Sequence, residues 1–238
     1  MKTKEINPSN QSIYCYPGTS VLINNRNIMD KKELLQLEKM LVNYNLKELI
    51  LGKGDFKRDL TYNHYLAIHR YLFESLYPFA GKLREEFTNK TNDEIEGEEG
   101  IRIYCNPDFI YDALNERLKL MKKQAVKVKS KDQLLDFLTD NYMELYYIHP
   151  FREGNSRTLR EFLREYVELM DQLLFDFGHY RLEYGNLTDE CRDNFTRAVI
   201  WNTSTDLQKQ KDSLPLLRQA IAQCLVEYEK ENGEHHVR

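Results

Sequence analysis

The sequence predicts an all-α fold, a helical bundle with one small β-hairpin. Only 10 glycines and 6 prolines occur in 238 residues, so long segments contain no residue that breaks a helix. In most of those segments, apolar residues recur three and four positions apart, which is the spacing of a buried helix face. Residues 81–105 differ, because two short strand-like stretches flank an acidic loop there and predict the hairpin.

The first helix is expected to begin after Asp30. Residues 1–29 are rich in turn formers, and Asp30 with Glu33 resembles an N-cap with its reciprocal carboxylate three residues later. The GKGD stretch at 52–55 ends the helical pattern. The apolar residues that recur at helical spacing between these limits are Leu34, Leu37 and Leu41.

A second helix is predicted from Thr61 to Tyr77, where Pro78 ends it. Behind the hairpin, the same spacing predicts five more helices. The first of them begins with the NPD stretch at 106–108, the second spans 131–148, and the third starts directly after residue 158. The last two cover 187–205 and 213–231. The predicted parts of the chain are an N-terminal segment with the first helix packed on the core, the core itself, and a C-terminal helix, at residues 1–55, 56–205 and 206–238.

Composition limits the function classes. The formal net charge of −4 argues against a protein that coats nucleic acid or anionic membranes. No segment approaches the roughly 20 apolar residues of a membrane span, and the first residues lack the regions of a secretory signal. A cytoplasmic protein with no direct nucleic-acid or membrane partner is expected, with secretion as an effector left open. The cysteines show no CxxC pairing, which indicates reduced thiols; they are Cys15, Cys105, Cys191 and Cys224.

Six lysines lie between residues 119 and 131, at the junction of two predicted helices. Such a run is usually a solvated connection, and that is the interpretation we favour. A docking patch for an acidic partner is the alternative.

The ten residues HPFREGNSRT, 149–158, concentrate the polar chemistry of the chain. They lie between two apolar helix faces, and Pro150 and Gly154 force a loop that ends at a helix N-terminus. Unpaired backbone N–H groups and the positive end of the helix dipole make such a place an anion site. Arg157 and Arg160, three residues apart, share one side of the first helical turns. The arrangement suits a polyphosphate.

The other polar groups of this stretch suit chemistry at a phosphate. Glu153 is a hard oxygen ligand for Mg²⁺, and Asn155 can donate hydrogen bonds to a phosphoryl oxygen without adding charge. His149 titrates near neutrality and can take a proton from an attacking hydroxyl. Arg157 and Arg160 can neutralise charge on a leaving group. Each group alone is more often structural, but their conjunction in one loop predicts a nucleotidyl or phosphoryl transferase.

These residues resemble the signature of the Fic family, HPFx[D/E]GN[G/K]RxxR, which reads HPFREGNSRTLR here. IHRYLFESLYPFAGKLRE at 68–85 is similar to the family's helix and AGxxR turn, and IRIYCNPDFI at 101–110 lies where the family has a β-hairpin flap. YCYPGTSVLINNRNI at 14–28 is similar to the start of Fic toxins of bacterial toxin–antitoxin pairs and of related secreted effectors. The resemblance covers residues 12–205 and implies a Fic-type helical bundle with the flap over the active site.

The resemblance implies AMPylation, the transfer of AMP from ATP to a Tyr, Ser or Thr hydroxyl of a protein with release of pyrophosphate. His149 would be the general base, and Glu153 would hold Mg²⁺. Asn155 would position the α-phosphate, Arg157 would bind the β- and γ-phosphates, and Arg160 would bind the γ-phosphate. The whole set expected to bind ATP is Gly154, Asn155, Ser156, Arg157 and Arg160. The flap residues expected to hold the target by strand pairing are Ile103, Tyr104, Cys105 and Asn106.

Many Fic proteins are silenced by a helix with the sequence [S/T]xxxE[G/N], whose Glu pairs with the second arginine of the signature. In this chain, NDEIEG at 92–97 begins with Asn, and ENG at 231–233 has Glu227 four residues upstream instead of Ser or Thr. Neither stretch matches. We therefore expect inhibition in trans by a small antitoxin carrying this motif. The toxins with a similar N-terminus suggest bacterial type II topoisomerase subunits as targets.

Ser156 departs from the family pattern, which has Gly or sometimes Lys at this position. If the position required a positive φ, Ser would cost roughly 1–2 kcal/mol, whereas the family's Lys indicates that a side chain can be accommodated. An active AMP transferase is the interpretation we favour. The alternatives are phosphoryl transfer to protein, as in the Doc branch, and a catalytically weak nucleotide-binding interaction protein.

Overall fold

The computed structural model describes residues 12–92, 95–98, 100–185 and 188–229. Within them, the predicted all-α fold is confirmed, with small antiparallel sheets of two strands each. The helices are α1 (Lys31–Ile50), α2 (Tyr62–Phe73), α3 (Ile110–Ala125), α4 (Lys131–Ile148), α5 (Asn155–Leu173), α6 (Asp189–Asn202) and α7 (Leu207–Cys224). The strands are β1 (Asn89–Thr91), β2 (Ile101–Ile103), β3 (His179–Leu182) and β4 (Leu225–Tyr228).

Side-chain caps fix where several helices begin. The Asp30 carboxylate accepts a hydrogen bond of 2.8 Å from the backbone N–H of Glu33, which confirms the predicted N-cap of α1. Thr61, Ser130 and Thr188 cap α2, α4 and α6 in the same way. Helix α5 has no side-chain cap, because its N-cap residue is a glycine. Its first backbone N–H groups are therefore left for a ligand.

Helix α5 lies at the centre of the bundle. It contacts α2, α4 and β3, while α1 covers α2, and α3 packs on α4. Helices α6 and α7 pack on each other, and α7 also packs on α4. One core of apolar and aromatic side chains runs through these contacts. The site described below is built on the N-terminal end of α5, at the middle of this core.

The predicted hairpin is confirmed as β1 and β2, with Lys90 opposite Arg102. Arg102 points inward and is fully buried. Its Nη1 donates to the Tyr146 hydroxyl of α4 at 2.9 Å, and its Nη2 donates to the backbone oxygen of Thr91 at 3.0 Å. This buried guanidinium therefore fastens the hairpin, which we call the flap, to α4.

The loop between the two flap strands is tied to the C-terminal helices. One oxygen of Glu98 accepts a hydrogen bond of 2.7 Å from Nε1 of Trp201, and the other lies 2.7 Å from Nζ of Lys209. Both ends of the flap are thus held against the bundle.

The C-terminal part differs from the prediction. Helix α7 begins at Leu207 and not at 213, because Asp206 caps it and the helix continues through Pro215, a residue usually confined to the first turn. The helix ends at Cys224, and β4 follows, paired antiparallel with β3. This second sheet is absent from the sequence-based prediction. Its strands are short and far apart in the chain, so no local turn signal joins them. The division of the chain at residues 55 and 205 stays a prediction.

Within the lysine run, three side chains contact other residues, one in its own helix and two in other segments. Lys119 pairs with Glu116 at 2.8 Å, Lys122 donates to the backbone oxygen of Asp59 at 2.9 Å, and Lys131 lies 3.5 Å from a Glu227 oxygen. These contacts favour the structural connection over a docking patch.

No helix in the described part of the chain is long and apolar enough to cross a membrane. All four cysteines are buried and free.

Candidate active site

The segment from 149 to 154, here called the signature loop, joins α4 to α5 and is anchored in the core. Phe151 is fully buried, and its ring stacks on the ring of His69 with centroids 3.7 Å apart. The carboxamide of Asn155 closes the loop, because its Oδ1 accepts from the backbone N–H of Phe151 and its Nδ2 donates to the backbone oxygen of Phe151, both at 2.8 Å. The loop is therefore held in one conformation before any ligand binds.

Arg84 clamps the start of this loop. Its buried guanidinium donates from Nε to the backbone oxygen of His149 at 2.8 Å, from Nη1 to that of Glu86 at 2.7 Å, and from Nη2 to that of Cys105. Its own N–H donates to the backbone oxygen of Pro150 at 2.9 Å. One residue thus connects the loop to the segment that follows the flap. It also fixes His149, whose φ of 47° lies in the left-handed region.

His69 supports the other end of the loop. Its Nδ1 accepts from the backbone N–H of Gly81 at 2.8 Å, and its Nε2 lies 2.9 Å from the backbone oxygen of Glu153. Since a carbonyl oxygen only accepts, Nε2 carries the proton. Burial lowers the pKa of His69 to about 3, so the ring stays neutral at physiological pH and keeps this tautomer.

His149 is only 3% exposed but borders a cavity. Its ring stacks on Tyr104 with centroids 3.7 Å apart, and its Nδ1 lies 3.3 Å from the backbone oxygen of Tyr146. That contact requires the proton on Nδ1 and leaves Nε2 with a free lone pair. Burial lowers the pKa of His149 well below its usual value, and the positive charges of Lys90 and Arg84 lower it further. The imidazole is therefore neutral at pH 7.

Gly154 is the N-cap of α5 and has φ 79°, in the left-handed region that favours glycine. A Cβ at this position would lie 2.3 Å from Cζ of Phe73. The next residues, beginning with Asn155, already have right-handed helical geometry, and Ser156 is among them. The hypothesis that Ser156 strains the backbone is therefore wrong, because the positive φ falls two residues earlier.

Glu153 is the residue of the loop that fits a metal ion. Its Oε1 accepts from the backbone N–H of Gly154 at 2.8 Å and lies 3.2 Å from Nη2 of Arg157. Its Oε2 has no hydrogen-bond or ion-pair partner among the residues that the structure describes. No group of three or more His, Cys, Asp or Glu residues that could hold a metal occurs in that part of the chain. One available carboxylate oxygen beside a helix N-terminus, a place that favours anions, nevertheless fits Mg²⁺, which binds through one or two carboxylates plus phosphates and water.

The two signature arginines have different surroundings. Arg157 pairs with Glu38 of α1 at 2.7 Å and stacks over the ring of Phe73 at 4.8 Å. Arg160 lies over the ring of Tyr184, with its Cζ 6.0 Å from the ring centroid. No carboxylate of the described residues forms an ion pair with Arg160, so its charge is available to an anion.

Two adjoining cavities meet at these side chains. The smaller one, about 250 Å³, lies over the signature loop and the first turn of α5. The larger one, about 940 Å³, runs from there between α1, the segment after β3, and α6. Four residues line both cavities: Lys90, Ser156, Arg157 and Arg160.

The flap residues expected to hold a target are not equally placed. Strand β2 ends at Ile103, whose side chain is 67% exposed. Tyr104 and Cys105 are buried, Tyr104 against His149 and Cys105 through its backbone N–H on the oxygen of Tyr147. Asn106 caps a short 3₁₀ helix at Pro107–Phe109. Only Ile103 of the four therefore belongs to the paired strand and also presents an exposed side chain.

The structure brings together all the signature residues that the sequence singles out, around the smaller cavity. It adds four residues to which the sequence analysis gave no role in the site, although two of them lie in the stretch quoted for the family's helix and AGxxR turn; the four are Glu38, His69, Arg84 and Lys90. Glu38 and His69 lie at helical spacing among the apolar residues of a buried helix face, and Glu38, His69 and Arg84 are all buried. Such a signal marks a position as unusual but does not say which distant group it contacts.

Comparison with known proteins gives the family. The family model described as Fic/DOC family matches residues 59–167. The chain is 31% identical over 195 residues to "Probable protein adenylyltransferase y4lH" of Sinorhizobium fredii, covering 81% of this chain and 88% of that protein. It is 29% identical over 187 residues to the protein adenylyltransferase VbhT of Bartonella schoenbuchensis, covering 79% of this chain but only 35% of VbhT.

Solved structures show the same fold. The N-terminal Fic domain of a Bartonella effector protein from Bartonella sp. AR 15-3 has a TM-score of 0.71 at 19% identity, with 89% of this chain and 90% of that chain covered. BepC of Bartonella tribocorum, solved with bound AMPPNP, has a TM-score of 0.70 at 18% identity, with 91% and 97% covered. Given this fold around the HPFREGNSRTLR segment and the identity to y4lH over most of both chains, the protein belongs to the Fic/DOC family.

Proposed function

We propose that this protein is a protein adenylyltransferase, which transfers AMP from ATP to a hydroxyl side chain of a target protein and releases pyrophosphate. The observation that carries the proposal is the convergence of an unprotonated His149 Nε2, the uncapped N-terminus of α5 and two arginines on one cavity. The names of y4lH and VbhT, and the ATP analogue bound to BepC, support the same activity.

In this proposal, ATP spans the two cavities. The triphosphate lies over the N-terminus of α5, where the backbone N–H groups and the helix dipole favour anions. Arg157 and Arg160, which line both cavities, contact it from the helix side. The base extends into the larger cavity, where Tyr184 and Phe195 supply aromatic surface.

The transfer step follows from the state of His149. Its neutral Nε2 accepts the proton of the target hydroxyl as the hydroxyl oxygen attacks the α-phosphorus. The bond between the α-phosphorus and the bridging oxygen breaks, and pyrophosphate leaves with the extra negative charge. Arg157 and Arg160 neutralise that charge. The Asn155 amide has one N–H bonded to Phe151 and a second left for an α-phosphate oxygen.

Glu153 is the residue that would hold Mg²⁺, through Oε2. When bound, the ion offsets phosphate charge and orients the phosphoryl oxygens. The carboxylate is already oriented for this, because its Oε1 is fixed by the N–H of Gly154 and by Arg157.

An extended segment of the target fits the flap by strand addition, which uses backbone hydrogen bonds and leaves side-chain specificity to a few contacts. The side chains that β2 exposes are Ile101 and Ile103, two residues apart on one face. We therefore place the target's contacts at these two residues and not at Tyr104 or Cys105. An apolar target residue beside the acceptor hydroxyl suits this face.

Inhibition by a small antitoxin carrying [S/T]xxxE[G/N] is the regulation that fits Arg160. Arg160 has no carboxylate partner in the described residues, and α1 lines the cavity beside it with Leu46 and Ile50. A partner helix with an apolar face and one Glu would cover both features. The toxin role and topoisomerase subunits as targets rest on the resemblance of residues 14–28 to Fic toxins.

Labelled ATP separates the candidate reactions. The purified protein is incubated with Mg²⁺, cell lysate and ATP labelled at either the α- or the γ-phosphate. We expect protein labelling from the α position only, and His149→Ala to abolish it. Labelling from the γ position only would indicate a kinase, as in the Doc branch. No labelling from either position, with any antitoxin removed, would indicate a nucleotide-binding interaction protein.

A further inference from the structure

Glu38 is a carboxylate on α1 that reaches the phosphate site from outside the signature. Its side chain is 5% exposed and lies on the buried stripe of α1, between Leu34 and Val42. We propose that Glu38 is a positioning residue for Arg157, which holds the guanidinium toward the nucleotide phosphates and away from full pairing with Glu153. This inference rests on the proposed function, because it assigns Arg157 to the phosphates.

Glu38 is itself held in place on both oxygens. Its Oε1 lies 2.7 Å from Nη1 of Arg157, and its Oε2 accepts a hydrogen bond from the hydroxyl of Tyr77. Burial and this bond raise the pKa of Tyr77, so the hydroxyl stays a donor. A buried carboxylate with both oxygens bound has little freedom to move, and it can therefore fix the group it contacts.

Arg157 is constrained on three sides as a result. Glu38 binds Nη1, Glu153 approaches Nη2 at 3.2 Å, and the ring of Phe73 covers one face of the guanidinium. A guanidinium has five N–H groups, and these two contacts leave some of them unused. Since Arg157 lines both cavities, the unused groups are in position to bind phosphate oxygens.

The two carboxylates compete for Arg157, and Glu38 is the closer of the two. Without the charge of Glu38, Glu153 would be the one remaining carboxylate partner of Arg157 in the described residues. A bidentate pair with Arg157 would then occupy Oε2 of Glu153, the oxygen that is otherwise available. Arg157 would then no longer bind phosphate, and Oε2 of Glu153 would no longer be available to a metal ion.

The expected sign separates positioning from simple charge effects. Removal of a negative charge near a phosphate site, considered alone, strengthens anion binding because Coulomb repulsion decreases. The positioning role predicts the reverse, weaker nucleotide binding when Glu38 loses its charge. If Glu38 is only a structural link between α1 and α5, its loss should lower the free energy of unfolding. It should then have no effect on nucleotide affinity that depends on Arg157.

The test measures the Kd of ADP with Mg²⁺ by isothermal titration calorimetry, using Glu38→Gln. We expect binding to weaken by roughly tenfold, within the range of coupling energies between contacting residues. The matched control is Glu48→Gln, which removes a carboxylate from the same helix whose partner is Lys53 at 2.8 Å. This control should bind ADP as the wild type does, and thermal unfolding of each variant reports whether it is folded.

A double-mutant cycle links the effect to Arg157. In an Arg157→Ala background, Glu38→Gln should change the Kd by less than twofold, because the residue through which it acts is gone. Tyr77→Phe, which leaves the carboxylate but frees one of its oxygens, should give a smaller loss of affinity with the same dependence on Arg157. It serves as the test if Glu38→Gln fails to fold.

Several outcomes would overturn the inference. Unchanged binding by Glu38→Gln would remove the positioning role, and tighter binding would make the pair an inhibitory contact instead. A tenfold loss that persists in the Arg157→Ala background would mean that Glu38 acts by another route. If the wild type binds ADP and transfers the α-label, and Glu38→Gln binds ADP with the same Kd, this inference alone is wrong. If the wild type binds no ADP, the proposed function is wrong as well.

Discussion

Replacing Gly154 with alanine tests whether the geometry of the signature loop is required. The φ of 79° disfavours any residue with a Cβ, and a Cβ here would lie 2.3 Å from Cζ and 2.4 Å from Cε2 of Phe73. Carbon atoms that are not bonded prefer roughly 3.5–4.0 Å. The ring of Phe73 or the loop must therefore shift by more than about 1 Å to relieve the overlap.

The magnitude follows from two contributions. A left-handed conformation costs an L-residue about 1–2 kcal/mol, and overpacking a core costs about 1–3 kcal/mol. Their sum, about 2–5 kcal/mol, is a large share of the 5–15 kcal/mol by which domains are usually stable. Phe73 cannot yield easily, because it is buried, its centroid lies 4.8 Å from that of His69, and Arg157 stacks on it at 4.8 Å.

Gly52→Ala is the matched control for this substitution. Gly52 has φ 77°, close to that of Gly154, but an added Cβ would meet nothing within 4 Å. It should therefore lose only the conformational contribution, about 1–2 kcal/mol. Urea denaturation measures both variants, and ADP titration should show weaker binding only for Gly154→Ala, since a displaced Phe73 moves Arg157. Equal losses of stability in the two variants, or normal ADP binding by Gly154→Ala, would refute the reasoning.

Two further predictions concern Ser156 and the buried histidines. Ser156→Gly should leave transfer of the α-label nearly unchanged and lower stability by about 1 kcal/mol or less, because the residue is already helical; a severalfold rise in activity would contradict this. The pKa values of His69 and His149 lie below those of the unfolded chain, so between pH 6.5 and 5 the unfolded state binds protons that the folded state does not. As the pH falls through this window, the unfolding free energy should therefore fall, by up to about 1.4 kcal/mol per pH unit for His69 and with a further loss from His149. Urea denaturation at several pH values in this window should show the decrease. In a His69→Gln variant, the slope of unfolding free energy against pH should decrease by the contribution of up to one proton. An unchanged slope would contradict a neutral His69 in the folded state.

Local signals explain which parts of the fold the sequence could predict. The cap at Asp30 and the apolar spacing of α4 act within a few residues, and the structure has both where they are expected. The sheet of β3 and β4 depends on pairing between segments that lie far apart in the chain, so no window of sequence contains the signal. Helix α7 starts earlier than expected because tertiary packing tolerates Pro215 inside it.

The candidate site divides in the same way. The loop, the helix N-terminus and the two arginines follow from the order of residues in HPFREGNSRTLR. The backbone conformation at Ser156 did not follow, because a shift of two residues in the start of a helix decides whether φ is positive. Glu38 was missed for another reason. It lies four residues after Leu34, on the buried stripe of α1, and the sequence shows the anomaly without showing that Arg157 is its partner.

The apolar letters of the signature also have a physical explanation. Phe151 never reaches the cavity, yet its ring packs on His69, and His69 in turn holds the backbone of Glu153. The conformation of the loop is thus set by the core, and the polar groups at its surface inherit their positions from it. Catalysis by positioning requires side chains that are already oriented when substrate arrives. A chain that matched only the polar letters, without His69 or Arg84 to hold the backbone, would therefore present the same functional groups without the geometry that makes them a site.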